Sequence, residues 1–171
     1  MRPTVVLAAM LGVALLSLSP ASRAEEGPVD VPMLNLSVGN LGVLDTFAKP
    51  TVYGAEYRGR TFSEFKLVPA VGLAVVDNGA GYLYLGLRYD WWVDPHWSLT
   101  PNFSVVGFHD GGVLKLGDTL EFRSGLELAY RFDNQWRAGF AFYHISNGGL
   151  SKHNPGTEGL IFSLSIPLSG Y

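Results

Sequence analysis

Apolar and polar residues alternate with a period of two along most of the chain. At that spacing, successive side chains of a β-strand point to opposite faces. From Leu120 to Phe132 the even positions are Leu120, Phe122, Ser124, Leu126, Leu128, Tyr130 and Phe132. The odd positions are Glu121, Arg123, Gly125, Glu127, Ala129 and Arg131. One face is greasy; the other mixes charges with small residues. The segment from Tyr82 to Trp92 repeats the pattern, with Leu83, Leu85, Leu87, Tyr89 and Trp91 against Tyr82, Tyr84, Gly86, Arg88 and Asp90. A barrel in water does not put its charges inside and its aliphatic surface outside, whereas a barrel in lipid does. Tyr89, Trp91, Trp92 and Trp97 cluster where two such segments meet, as rings of an interfacial girdle do.

The alternation predicts eight strands, at roughly 31–43, 51–59, 64–76, 81–93, 96–108, 118–132, 135–146 and 158–168. Val31 to Val43 and Phe65 to Val76 carry apolar residues on both faces and alternate less cleanly than the later strands. The expected fold is all-β, an eight-stranded antiparallel transmembrane β-barrel of the bacterial outer membrane. With the mature N-terminus in the periplasm, even-numbered connections are periplasmic and odd-numbered ones extracellular. Asp94-Pro95 and Asp133-Asn134 then make short inner turns, while Asp77-Asn78-Gly79 and the stretches 109–117 and 147–157 make longer or glycine-richer outer ones. Glu56, Arg58, Arg88, Asp90, Glu121, Arg123, Glu127 and Arg131 face the lumen as an ion-pair network. A barrel this narrow has room for little beyond side chains, so no pore is expected. At the C-terminus Leu160, Phe162, Leu164, Ile166 and Leu168 put the greasy face on even numbers, out of phase with Tyr171; a break at Pro167 or Gly170 would restore the phase.

The N-terminus follows a different pattern. Arg2 precedes an apolar run from Val5 to Leu18, and Ser22-Arg23-Ala24 offers a cleavage site ahead of Glu25. Residues 1–24 thus read as a cleaved signal peptide, leaving 25–171 as a single barrel domain. The run is shorter than the roughly 20 residues of a spanning helix. Charged residues are 16% and aromatics 13% of the chain, against about 25% charged in an ordinary soluble domain. Acidic residues (15) outnumber basic ones (12), which argues against nucleic acid as a partner. There is no cysteine, so disulfides, thiol catalysis and zinc-thiolate sites are excluded.

The candidate chemistry lies in the last hairpin. On the seventh strand Trp136, Ala138, Phe140 and Phe142 form the lipid-facing row, which His144 and Ser146 continue. On the eighth the same row begins at Glu158. Period two therefore puts His144, Ser146 and Glu158 on the outside of the barrel, at its outer-leaflet end. Opposed residues of a hairpin have Cβ atoms about 4.5–5.5 Å apart, so a Glu–His–Ser chain can form. A serine hydroxyl needs an adjacent base to become a nucleophile. His144 is suited to that task, since histidine titrates near neutrality, and Glu158 can fix its tautomer. Backbone around Asn147, Gly148 and Gly149 offers donors for an oxyanion. No cofactor or metal is called for. A hydrolase facing outward there reaches only lipid.

The sequence HISNGG, with Glu158 twelve residues after Ser146, resembles the His-x-Ser-Asn…Glu signature of the outer-membrane lipid A 3-O-deacylases (PagL type). The resemblance rests on the last quarter of the chain, and Ile145 stands where many relatives carry an aromatic. It implies hydrolysis of the ester-linked 3-hydroxyacyl chain at the 3-position of lipid A, in the outer leaflet. Lipopolysaccharide would be the substrate. Ser146 would be the nucleophile, His144 the base, Glu158 the third member, and Asn147 and Gly149 would lie near the oxyanion. Other readings of the residues are a phospholipase or acyltransferase, and a non-enzymatic structural or adhesive barrel in which 144–158 merely marks where a strand leaves the membrane. Asn147 also suits a plain turn. His96, His109 and His153 read as solvated loop residues, and Lys152 with His153 as a solvated loop beside the site. Whether the barrel works alone or as a homodimer is left open.

Overall fold

The computed structural model describes residues 27–45, 49–112 and 114–168. The expected signal peptide and the C-terminal residues Gly170 and Tyr171 lie outside them. Nine β segments follow in chain order: β1 (Met33–Leu41), β2 (Thr51–Arg58), β3 (Leu67–Val76), β4 (Gly81–Tyr89), β5 (Trp91–Trp92), β6 (Trp97–His109), β7 (Leu120–Arg131), β8 (Arg137–Ser146) and β9 (Thr157–Pro167). Each is antiparallel to its neighbours. β4 pairs with β3 and β6, and β1 pairs with β9, which closes the sheet. β5 continues β4 after a break at Asp90 and keeps the same register on β6, so the two form one crossing strand. The barrel is therefore the eight-stranded one the alternation predicts.

The faces are as predicted. Leu83, Leu85, Leu87, Leu126, Leu128, Phe140 and Phe142 are exposed on the outside, while Tyr82, Tyr84, Arg88, Glu127, Arg131 and Tyr143 are buried within. Lipid solvates the outer row as readily as a protein core would, so this inversion carries no hydrophobic cost. The buried charges need partners, because an unpaired ion in the interior costs several kcal/mol. Arg58 donates to Glu56 (2.7 Å) and, through both terminal nitrogens, to Glu127 (3.0 and 2.8 Å). Arg88 donates to Glu56 (2.7 Å) and lies 3.6 Å from Glu127. The Arg123 guanidinium lies over the Tyr84 ring at 3.8 Å and reaches Glu56 at 3.5 Å. Small residues make room for these groups; any side chain at Gly72, opposite Tyr84, would collide with that ring. The centre of the lumen keeps a cavity of only about 30 Å³.

Several expectations are corrected. Glu121 is wholly buried, yet among the described residues its carboxylate pairs with none of the lumen arginines, so it stands apart from the network. Arg131 keeps its expected place within the lumen and also donates to the Pro95 carbonyl (2.7 Å) at the periplasmic rim. Trp92 turns toward the lumen, where the Arg137 guanidinium lies 4.8 Å from its ring, while Trp97 and Tyr130 meet edge to face in the girdle. β3 starts at Leu67 rather than 64, because Ser63 and Lys66 take positive φ and the Ser63 carbonyl accepts from Lys66 N–H (3.2 Å), closing a turn. The outer connection at 77–80 is a tight turn, with Ala80 N–H held by Asn78 Oδ1 (3.0 Å). It is shorter than the inner one at 59–66. The connections 110–119 and 147–156 keep the expected length, against 93–96 and 132–136.

Replacing Glu127 by Ala strips Arg58 of its bidentate partner. The barrel is expected to lose roughly 3–5 kcal/mol, read as an earlier urea midpoint of the heat-modifiable band on a gel.

Candidate active site

β8 ends, and β9 begins, at the rim opposite the two described chain ends. In the β8–β9 ladder His144 stands directly opposite Glu158. His144 Nδ1 lies 3.0 Å from Glu158 Oε1. With the carboxylate as acceptor, the tautomer that makes this contact carries its proton on Nδ1 and leaves the Nε2 lone pair free, as a general base requires. Both side chains face outward, at 44% and 23% exposure. Near the interface a charge on the lipid face costs about 0–1 kcal/mol, against about 2–4 for a basic residue at the midplane, so the rim tolerates the pair. Ile145, between the two polar residues, is fully buried in the lumen and leaves them untouched.

Ser146 is the last residue of β8, on the face of His144 and one layer nearer the rim, opposite Phe122 of β7. The structure thus brings His144 and Glu158 into contact and sets Ser146 beside them. Among the described residues no hydrogen bond joins Ser146 to His144. Such bonds are often long without substrate and tighten in the reacting complex.

The chain leaves β8 through Gly148 (φ +64°) and Gly149 (φ +84°), both in the left-handed region that glycine favours. Asn147 is fully buried beneath this turn. Its Oδ1 accepts from Gly149 N–H (3.0 Å), its Nδ2 donates to the His153 carbonyl (2.9 Å), and its backbone N–H donates to Asn154 Oδ1 (3.0 Å). The backbone donors of Asn147 and Gly149, expected at an oxyanion, are thus occupied inside the loop. Gly148 N–H has no partner among the described residues. Ser151 Oγ donates to Asp118 and ties this loop to the one between β6 and β7. That bond, with the N–H groups of Leu120 and Thr119, holds the Asp118 carboxyl below its usual value. The tie is therefore present at neutral pH and lost as pH falls through the lowered value.

Two neighbours of His144 have no place in the motif. Gly156 borders the far edge of the ring, where a Cβ would stand 2.8 Å from His144 Cε1 and 3.3 Å from Nε2, and its φ is +66°. The signal was its parity: position 156 lies on the row of Glu158. Ser124 of β7 is paired with His144 on the side away from Glu158. The remaining histidines lie elsewhere. His109 ends β6 and is exposed, as is the His153 side chain, while His96 stacks on Tyr130 (5.3 Å) rather than lying free in solvent. No cluster of three or more His, Asp or Glu fit to hold a metal occurs among the described residues.

A closed barrel with an apolar outer wall is the architecture of an outer-membrane protein, and an outward His–Glu pair beside a serine is an arrangement suited to ester hydrolysis. The family model for lipid A 3-O-deacylase (PagL) matches residues 75–167, more than half of the chain, and the chain belongs to that family. Its location is accordingly the outer membrane and its substrate lipid A. Among solved structures it is similar to the crystal structure of the outer membrane enzyme PagL. The identity is 20%, over 80% of this chain and 99% of that one, at a TM-score of 0.63. It is also similar to a transmembrane β-barrel designed de novo, at 13% identity over 84% and 98% of the two chains and a TM-score of 0.59. These likenesses speak for the fold; the family match speaks for the activity. No curated protein matches the chain.

In Gly156→Ala the added methyl presses on the imidazole. Deacylation is expected to fall roughly 100-fold, the order that a displacement of about 1 Å costs, while the folded band stays heat-modifiable.

Proposed function

We propose that the deacylation runs through a Ser146–His144–Glu158 triad, in a mature chain of residues 25–171 freed of its signal peptide. The observation that carries the reading is the 3.0 Å contact of His144 Nδ1 with Glu158 Oε1 on the lipid face. Its role follows from the tautomer. His144 Nε2 takes the Ser146 proton as Oγ attacks the ester carbonyl at the 3-position of the sugar, and Glu158 stabilises the imidazolium that forms. The tetrahedral intermediate collapses as His144 returns the proton to the departing sugar oxygen, leaving the acyl chain on Ser146. Water, deprotonated by the same nitrogen, then releases the 3-hydroxy fatty acid and restores the serine. Asn147 and Gly149 position the oxyanion site: their mutual bond holds the turn, and Gly148 N–H between them is the donor left unoccupied.

The location suits the substrate. The ester of lipid A lies at the boundary between sugar and hydrocarbon, and the proposed triad lies where β8 ends and β9 begins, at the rim of the outer wall. The acyl chain can therefore stay in lipid while its carbonyl meets Ser146.

In Ser146→Ala, release of 3-hydroxy fatty acid from lipopolysaccharide is expected to vanish while heat-modifiable folding is retained, as read by mass spectrometry of purified lipid A. Undiminished release would remove the mechanism. Glu158→Gln keeps the shape but not the charge, and should lower turnover on the order of a thousandfold or more.

A further inference from the structure

The strand pairing places a fourth polar side chain beside the three. Ser124 on β7 is directly opposite His144, and across the next ladder it is opposite Phe103 of β6. One outward row thus reads Glu158, His144, Ser124, Phe103 from β9 to β6. Along the outer faces of β6 to β9, polar side chains other than the girdle rings Trp97 and Tyr130 occur only at this cluster and at the rim residue His109. Ser124 is exposed, and among the described residues its hydroxyl has no hydrogen bond. A hydroxyl without a partner in an apolar medium is costly.

Its neighbours are large and apolar. Phe122 lies above Ser124 and Leu126 below it on β7, with Phe142 beside Leu126 on β8. The Phe122 ring stacks on Phe103 at 6.0 Å between centroids. A serine among these leaves a dip in the outer wall, one layer closer to the midplane than Ser146. Two residues of strand separate the layers, about 6.8 Å. An acyl chain whose carbonyl is held at Ser146 descends past this dip. In a 3-hydroxyacyl chain the hydroxyl lies two carbons beyond the carbonyl, where a hydrogen bond of about 2.8 Å from Ser124 can reach it.

We propose that Ser124, opposite His144 on the lipid face, is a specificity residue that hydrogen-bonds the 3-hydroxyl of the acyl chain being removed. The inference rests on the triad reading above. It makes the enzyme prefer 3-hydroxyacyl esters over plain acyl esters of equal length, through an interaction only the former can make.

The test compares lipid A bearing a 3-hydroxyacyl group at the 3-position with a synthetic analogue bearing the unhydroxylated chain, both in mixed micelles, with released fatty acids quantified by mass spectrometry. The ratio of kcat/KM values is expected to favour the hydroxylated ester roughly tenfold in the wild type, to fall to about one in Ser124→Ala, and to be largely kept in Ser124→Thr. Ser124→Leu fills the dip and should lower both rates. An unchanged ratio in Ser124→Ala, with Ser146→Ala inactive, overturns the role of Ser124 and leaves the triad standing. Full loss in Ser124→Ala with retained turnover in Ser146→Ala would make Ser124 the nucleophile and overturn both.

Discussion

The ion network of the lumen, with Arg58 and Arg88 held between Glu56 and Glu127, decides which way the strands face. None of these side chains can turn to lipid at midplane depth, and none can stay inside unpaired. Once they are fixed inward, period two fixes their neighbours outward on β2, β4 and β7. The closed ladder then passes that phase to the strands between. On β8 the inward row is Arg137, Gly139, Ala141, Tyr143 and Ile145, so His144 and Ser146 are forced onto the lipid face. The outward direction of the site is thus a consequence of how the centre of the barrel is satisfied.

That constraint bears on function. A hydrolytic site at the centre of the lumen would have no room for an acyl chain, because Tyr84, Arg123 and their neighbours leave a cavity of only about 30 Å³ there; the larger space of about 350 Å³ lies toward the periplasmic end, beside Asp90, Trp92 and Arg137. On the outer wall the substrate arrives by lateral diffusion. On the proposed mechanism the wall would also hold the acyl chain, since Leu126 and Phe142 are exposed on the outside beside Phe122. The proposed mechanism asks for little polar machinery beyond the His144–Glu158 contact, a serine at the rim, and a loop whose glycines hold their conformation through Asn147.

Much of this was legible in the sequence, for a physical reason. Charges on one parity and aliphatics on the other give β4 and β7 an unambiguous phase, and the His144 to Glu158 pairing follows from parity on one hairpin. The less legible parts depend on contacts without periodicity. Trp92 turns inward because Arg137 offers its guanidinium, which no local pattern shows. Phe65 has the spacing of a strand residue, yet positive φ at Ser63 and Lys66 makes its segment a turn. Glu121 shares the lumen parity of its strand but lies too near the rim to meet the arginines. Gly156 and Ser124 read as small interruptions until register sets them against the imidazole, and register across β7 and β8 comes from pairing rather than composition.

On the proposed mechanism a lipid-facing serine, activated by His144, carries the chemistry. The most direct measurement is to treat the folded barrel in micelles with a lipophilic phosphonate ester and map the adduct by peptide mass spectrometry. A single stoichiometric adduct on Ser146 is expected, absent from the urea-unfolded chain and strongly reduced in His144→Ala. An adduct on another residue, or labelling of Ser146 that is indifferent to His144, would contradict that mechanism.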